Sequence, residues 1–384
     1  MGLLNRMYLL QFILLIVITS MNYSPVWGQE MVDREQTLKE IIKVNDYFME
    51  KYSDYKAPSN VGRERPSNIW TRGVYYEGLM ALYSILPEEK LYDYAYQWSD
   101  FHSWGFRNGS NTRNADDYCA GQTYIDLYRL SNKPKQIRKV KANLDMLVNT
   151  PQKDDWTWID AIQMGMPVFA KYGATMNDAK YFDKMWDMYA CSRNEIGGGL
   201  FNKEDGLWWR DADFVPPYKE PNGEDCYWSR GNGWVYAALV KVLSEIPKGE
   251  KHYKDYVNDF MCMTKALVKC QRKDGFWNVS LHDPENYGGK EVTGTSLFVY
   301  GMAWGINNGL LSKEKYMPIV TKAWNAIVKD AIHENGFLGY VQGTGKEPKD
   351  GQPVKYDSMP DFEDYGIGCF LLGGVEVYKL NENN

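Results

Sequence analysis

Apolar residues recur at three-and-four spacing in one segment after another of this chain, and period-two alternation is hard to find over any length. The pattern predicts twelve helices, at 34–54, 71–86, 90–104, 115–131, 134–148, 157–172, 177–193, 231–246, 251–271, 292–308, 313–333 and 364–380. They are of two alternating kinds. One kind is amphipathic and charged, as in Leu38 to Tyr52 or Lys313 to Lys329. The other is rich in Gly, Ala and aromatic residues and opens on a polar-aromatic cluster. The six clusters are Trp70-Thr71-Arg72-Gly73, Asn114-Ala115-Asp116-Asp117, Trp156 to Asp160, Trp228 to Asn232, Glu291-Val292-Thr293-Gly294 and Asp361 to Tyr365. Charged helices belong outside, and helices apolar nearly all round belong within a ring, where small residues permit close approach. Six of each, joined by short turns such as Leu86-Pro87 and Asn132-Lys133-Pro134, make an all-α (α/α)6 barrel in one domain.

That topology places the chemistry. If the inner helices run parallel, their N-termini and the six clusters line one funnel, whose unpaired N–H groups suit an anionic ligand. The long interruptions Glu195 to Tyr227 and Lys273 to Lys290 precede inner helices and would cover the same mouth.

Composition narrows the ligand. Among 384 residues, 44 basic side chains stand against 50 acidic ones, a formal −6 with no block of like charge, which argues against nucleic acid or an anionic membrane as partner. Aromatic residues make up 15%, a surplus that suits stacking against sugar rings. Residues 1–28 carry only Arg6, then an apolar run from Met7 to Met21, and read as a secretory signal peptide; the remaining 29–384, at −7, form the catalytic domain. The run is shorter than the roughly 20 residues of a membrane span, and a periplasmic location follows. The six cysteines fall mostly in apolar helical stretches and are expected as core thiols, and four scattered histidines give no metal-ligand spacing. No metal or cofactor is expected.

Asp160 heads an inner helix with Trp156 and Trp158 beside it; aromatic surroundings that withhold water can keep a carboxyl group protonated as a general acid, and the simpler reading is a helix cap. Asp116 and Asp117 form a second acidic head, of which only one can face the funnel. Arg230, in the run Tyr227-Trp228-Ser229-Arg230-Gly231-Asn232-Gly233-Trp234, can hold a carboxylate with its two-pronged guanidinium, or can brace the preceding loop. Trp208-Trp209-Arg210 reads as a substrate-contacting loop or as a plug over helix ends. His102 ends an outer helix and reads as a surface histidine; Trp277 and His282 lie in the second long loop without an assignable role.

These motifs in this order, Arg113 to Gln122, then Trp158-Ile159-Asp160, then Trp228 to Trp234, resemble the unsaturated glucuronyl and rhamnogalacturonyl hydrolases, glycoside hydrolase families 88 and 105, and family 105 more than 88. The likeness covers nearly the whole chain after residue 28. Where many members carry a histidine after a Gly-Gly-Leu-Phe segment, this chain has Trp208-Trp209-Arg210. The resemblance implies an enzyme that takes a 4,5-unsaturated uronic acid from the non-reducing end of lyase-generated oligosaccharides by hydrating the C4=C5 bond. It implies Asp160 as acid and base, and Asp117 in preference to Asp116 as the residue orienting water or sugar hydroxyls. It further implies Arg230 on the substrate carboxylate and Trp158, Trp228 and Trp234 as stacking walls; Trp209 and Arg210, from their loop, and Asn232, from the Trp-Arg-Gly-Asn run, are also expected as substrate contacts. Two other readings fit the same residues: another (α/α)6 enzyme, such as an endo-α-mannanase using Asp116 and Asp117 as adjacent acids or a sugar epimerase, and a carbohydrate-binding protein without catalysis.

Overall fold

The computed structural model describes residues 33–60, 63–357 and 364–380; the expected signal peptide and the Asp361-Phe362-Glu363 cluster lie outside the described residues. In chain order the helices are α1 (Arg34–Lys51), α2 (Trp70–Ile85), α3 (Glu89–Phe101), α4 (Ala115–Tyr118), α5 (Gly121–Ser131), α6 (Arg138–Val148), α7 (Ile159–Met176), α8 (Lys180–Asn194), α9 (Ser229–Glu245), α10 (Tyr253–Lys269), α11 (Val292–Asn307), α12 (Lys313–Asp330) and α13 (Asp364–Leu380). Each expected helix is present within a few residues, with the 115–131 helix divided into α4 and α5. The division is a single tightened turn, in which Gln122 N–H donates to the Cys119 carbonyl three residues back at 3.1 Å.

Burial separates the two kinds as their compositions imply. On α1 only Thr37, Ile41, Val44, Asn45 and Phe48 are buried, one stripe at helical spacing, and Asp33 caps the helix by accepting from Gln36 N–H at 2.8 Å. On α9 every residue from Ser229 to Leu243 is buried, so no face is left for solvent. The inner set α2, α4 with α5, α7, α9, α11 and α13 closes on itself: α2 packs on α5, α5 on α7, and so on through α13, which packs back on α2.

Glycine makes that last seam. A Cβ at Gly368 of α13 would stand 2.2 Å from the Val74 carbonyl oxygen of α2, and one at Gly78 would stand 2.6 Å from the Gly368 carbonyl, so the two backbones touch. At the head of the same seam Arg72 donates to Asp364 at 2.5 Å, both side chains buried.

The connections form a second repeat. The loop after α8 carries the hairpin β3 (Phe201–Asn202) and β4 (Leu207–Trp208), then turns back so that the Arg210 carbonyl accepts the first N–H of α7, from Ile159, at 2.9 Å. The loop after α10 gives the Val279 carbonyl to Ser229 N–H of α9, and the loop after α12 gives the Tyr340 carbonyl to Val292 N–H of α11, both at 2.9 Å. Glu291 caps α11 as well, accepting from Thr293 and Gly294 N–H. The open helix ends expected to attract an anion are thus occupied at α7, α9 and α11. All six cysteines are free, and no described helix is long and apolar enough to cross a membrane.

Candidate active site

Two acidic heads meet at the mouth. Asp160 lies in the first turn of α7, with only 9% of its surface exposed, and Asp116 in the first turn of α4. The segments that carry them are locked together by Arg113, whose Nε and Nη2 each reach Asp155 at 2.6 Å, and by Trp156 Nε1, which donates to Tyr118 Oη at 2.9 Å. Trp156 is therefore a fully buried strut, and only Trp158 of the two expected neighbours of Asp160 keeps a partly open face.

Burial raises the Asp160 carboxyl above the ordinary aspartate range, while the charges of Arg210 and Arg230 pull it back. Burial first and the Asp160 charge second push Asp116 up to about 7. Asp116, so raised, gives the site a carboxyl group that holds a proton near neutrality. Asp160 Oδ2 stands 3.3 Å from Arg210 Nε, an ion pair without hydrogen-bond geometry. Both atoms are buried and have no hydrogen-bond partner among the described residues.

Asp117 points elsewhere. It accepts from Arg107 Nε at 2.7 Å, Asn108 Nδ2 at 2.9 Å and Thr112 Oγ1 at 2.6 Å, and is 1% exposed. The expectation that Asp117 orients water is corrected: its oxygens fix the 107–112 loop, and Asp116 is the member of the pair coupled to Asp160. A mechanism with Asp116 and Asp117 as adjacent acids lacks its second carboxylate for the same reason.

The Trp-Arg-Gly-Asn run is mostly scaffold. Arg230 Nη1 and Nη2 donate to the Gln342 and Gly343 carbonyls at 2.8 and 2.9 Å, sandwiched between the Trp228 ring, 4.5 Å away, and the Tyr365 ring at 5.1 Å. Its terminal nitrogens therefore brace the loop after α12, and what reaches Asp160 is its charge. Asn232 binds the Trp208 backbone on both sides, N–H at 2.8 Å and carbonyl at 3.1 Å, pinning β4 to α9. Trp228, whose Nε1 donates to Gln342 at 2.8 Å, and Trp234 are buried and offer no stacking face; this corrects their expected role as walls, as it does that of Asn232 as a contact. Partly open rings at the mouth are Trp158, Trp209 and Trp70. Sequence reading passed over Trp70 as a site residue, although it opens the first inner helix.

Arg210 keeps its exposure. Its Nη1 bonds Asp211, Nε faces Asp160, and Nη2 has no partner among the described residues, so one edge of the guanidinium is open to an anion. His102 is half-buried and accepts from or donates to Ser67 Oγ at 2.7 Å; burial and the Arg72 charge push it down to about 4. Trp277 is buried core, its Nε1 donating to the Leu267 carbonyl. Among the described residues no cluster of three or more His, Cys, Asp or Glu has the arrangement of a metal site.

Below the acids, the barrel axis is filled by Glu77, which accepts from Gln122 Nε2 at 2.8 Å, Gln163 Nε2 at 3.0 Å and Lys241 Nζ. Four inner helices meet in that knot. Beyond it, at the C-terminal ends of the inner helices, opens a cavity of about 940 Å³. It is roomier than it is reactive: its charges are matched internally, as in Arg129 with Glu245 and Lys171 with Asp126.

A ring of paired helices with acidic side chains at an aromatic mouth suits acid–base chemistry on a sugar ring. A model of "Glycosyl Hydrolase Family 88" matches residues 40–381, and the chain belongs to that family. It is 34% identical over 337 residues to an unsaturated 3S-rhamnoglycuronyl hydrolase of Formosa agariphila, covering 82% of this chain and 85% of the relative. A solved structure of a glycosyl hydrolase family 88 protein from Bacteroides vulgatus superposes with a TM-score of 0.83 at 32% identity, covering 91% of this chain and all of that one. A possible family 105 member from Salmonella enterica shares the fold, with a TM-score of 0.72 at 21% identity over 93% of this chain and 98% of that one.

Proposed function

We propose that the protein removes a 4,5-unsaturated uronic acid from the non-reducing end of oligosaccharides by hydrating the C4=C5 double bond. The observation that carries this reading is the buried pair Asp160 Oδ2 and Arg210 Nε, a proton donor and a cation side by side with neither atom hydrogen-bonded. The enol ether of such a uronide has the complementary parts, a carbon that accepts a proton and, on the next carbon, a carboxylate.

In this reading Asp160, whose proton affinity burial raises, gives a proton to C4. Positive charge develops at C5 and the ring oxygen, and water adds at C5, returning its proton to the Asp160 carboxylate. The hemiketal opens and the glycosidic bond is lost, releasing the next sugar. One carboxyl group serves both steps, so the two-carboxylate spacing of ordinary glycosidases is not needed. Asp116 orients the water; Arg210 receives the substrate carboxylate with the Arg230 charge behind it; Trp158, Trp209 and Trp70 flank the ring. The Formosa relative's name, unsaturated 3S-rhamnoglycuronyl hydrolase, supports a uronic acid linked to rhamnose as the substrate. The apolar run in residues 1–28 supports export, and a periplasmic place downstream of a polysaccharide lyase.

Turnover destroys the conjugated alkene, so ultraviolet absorbance follows it directly. Asp160→Asn should abolish the loss of absorbance on lyase-generated oligosaccharides while leaving circular dichroism unchanged; full turnover in that variant would refute the assignment.

A further inference from the structure

The funnel rim carries an arginine cluster that the hydration chemistry does not use. Just before α2 the chain forms a small hairpin, β1 (Ser59–Asn60) against β2 (Glu64–Arg65), moored to the mouth because Arg72 Nη2 donates to Ser59 Oγ at 3.4 Å. Arg65 is half-buried, and its Nε is buried with no hydrogen-bond partner among the described residues. Glu64, the nearest carboxylate in sequence, is exposed, and alternate side chains of a strand point to opposite faces, so it is turned away. Arg107, on the loop before α4, is close by but already neutralised by Asp117 at 2.7 Å. Arg63 and Arg65 have no acidic partner among the described residues.

The charges interlock. Asn68 Nδ2 donates to the Gly105 carbonyl at 3.1 Å and so ties the segment after the hairpin to the one that carries Arg107, and besides burial the charges of Arg63 and Arg107 lower the Arg65 guanidinium from its usual range. Arg107 acts also on Asp116, and Asp116 feels Asp160 and Arg210. The order of influence along the mouth runs Arg210, Asp160, Asp116, Arg107, Arg65. Three guanidinium groups with one compensating carboxylate, in a chain of net −6, leave an unmet demand for an anion at one end of a line whose other end is Arg210.

Resting on the function proposed above, we infer that Arg63, Arg65 and Arg107 form a second anion subsite, which reads an anionic substituent, a sulfate ester or a carboxylate, on the sugar released. Guanidinium matches either group with paired hydrogen bonds, and a subsite one charge removed from the acid discriminates substrates without touching the reacting carbons. The cluster sets which oligosaccharides are cut, and Arg210 with Asp160 sets how.

The test uses three unsaturated disaccharides that differ only in the released sugar, which is neutral, sulfated or carboxylated. For the double variant Arg63→Ala/Arg65→Ala, kcat/KM on the favoured anionic substrate should fall about tenfold or more through KM, and on the neutral one less than about threefold. The substrate with the larger loss identifies the anion. The conservative variant Arg65→Lys, which keeps the charge and loses the fork, should fall between wild type and the double variant on the anionic substrate alone. An equal loss on all three substrates, or no loss on any, overturns the inference. If wild type turns over none of the three, the function proposed above fails. Calorimetry with the sulfated and carboxylated disaccharides then decides the arginines: weakened binding in the double variant supports the subsite, and unchanged binding overturns it.

Discussion

Asp116 and Asp117 are adjacent, identical in type, and put to opposite uses. Asp117 is saturated by Arg107, Asn108 and Thr112, while Asp116 is raised to about 7 by burial and by Asp160. A carboxyl group whose folded pKa lies above its unfolded value favours folding when protonated. That contribution is complete below the ordinary aspartate value of about 3.9 and is lost as pH rises through 7. Wild type should therefore lose stability between pH 4 and 7 relative to Asp116→Asn, read as denaturation midpoints across that range; parallel curves would show that Asp116 is not raised. The choice between the two aspartates was not legible in the sequence, because one short helix turn decides it. Asp160 was legible as an acid heading an inner helix. Arg230 misled for a different reason: the carbonyls it serves, Gln342 and Gly343, lie 112 and 113 residues further on, in a loop no local motif announces.

At the scale of elements, the twelve helices were readable because the inner ones are buried over most of their surface, α9 almost entirely, and the outer ones along a single stripe, two patterns a sequence displays directly. Their ends were less so. α7 runs past the expected 172 to Met176, where Asn177 takes a left-handed conformation (φ 52°) and ends it, a position Asn tolerates and no neighbouring proline or glycine marks. The contact between α2 and α13 rests on absent side chains. A methyl group at Gly368 would collide with the Val74 carbonyl, and backbone cannot rotate aside as a side chain does. Gly368→Ala should cost about 3 kcal/mol and lower Tm by several degrees. The same substitution at Gly249, whose Cβ would meet nothing within 4 Å, should change Tm little. Equal melting of the two variants would show that the seam has room.

For the molecule as a whole, the knot of Glu77, Lys241, Gln122 and Gln163 separates a working mouth from a quiet one. Removing one charge of a buried pair strands the other, so Lys241→Met should destabilise by about 3–5 kcal/mol, while Lys241→Met with Glu77→Gln should recover much of the loss. A double variant as unstable as the single one, by chemical denaturation, would assign the cost to packing and not to charge.

The returning loops bear on how such a ring comes into being. The first N–H of α7 is met by a carbonyl from residue 210, that of α9 by residue 279, and that of α11 by residue 340. As the chain leaves the ribosome these three inner helices emerge unfinished, and each is sealed only when the loop after its own outer partner arrives. The final closure, Arg72 to Asp364, waits for almost the entire polypeptide. Growth order and sealing order therefore coincide. Each of these three helical pairs thus carries its own seal in the loop that trails it, so a pair and the loop behind it are one unit of assembly.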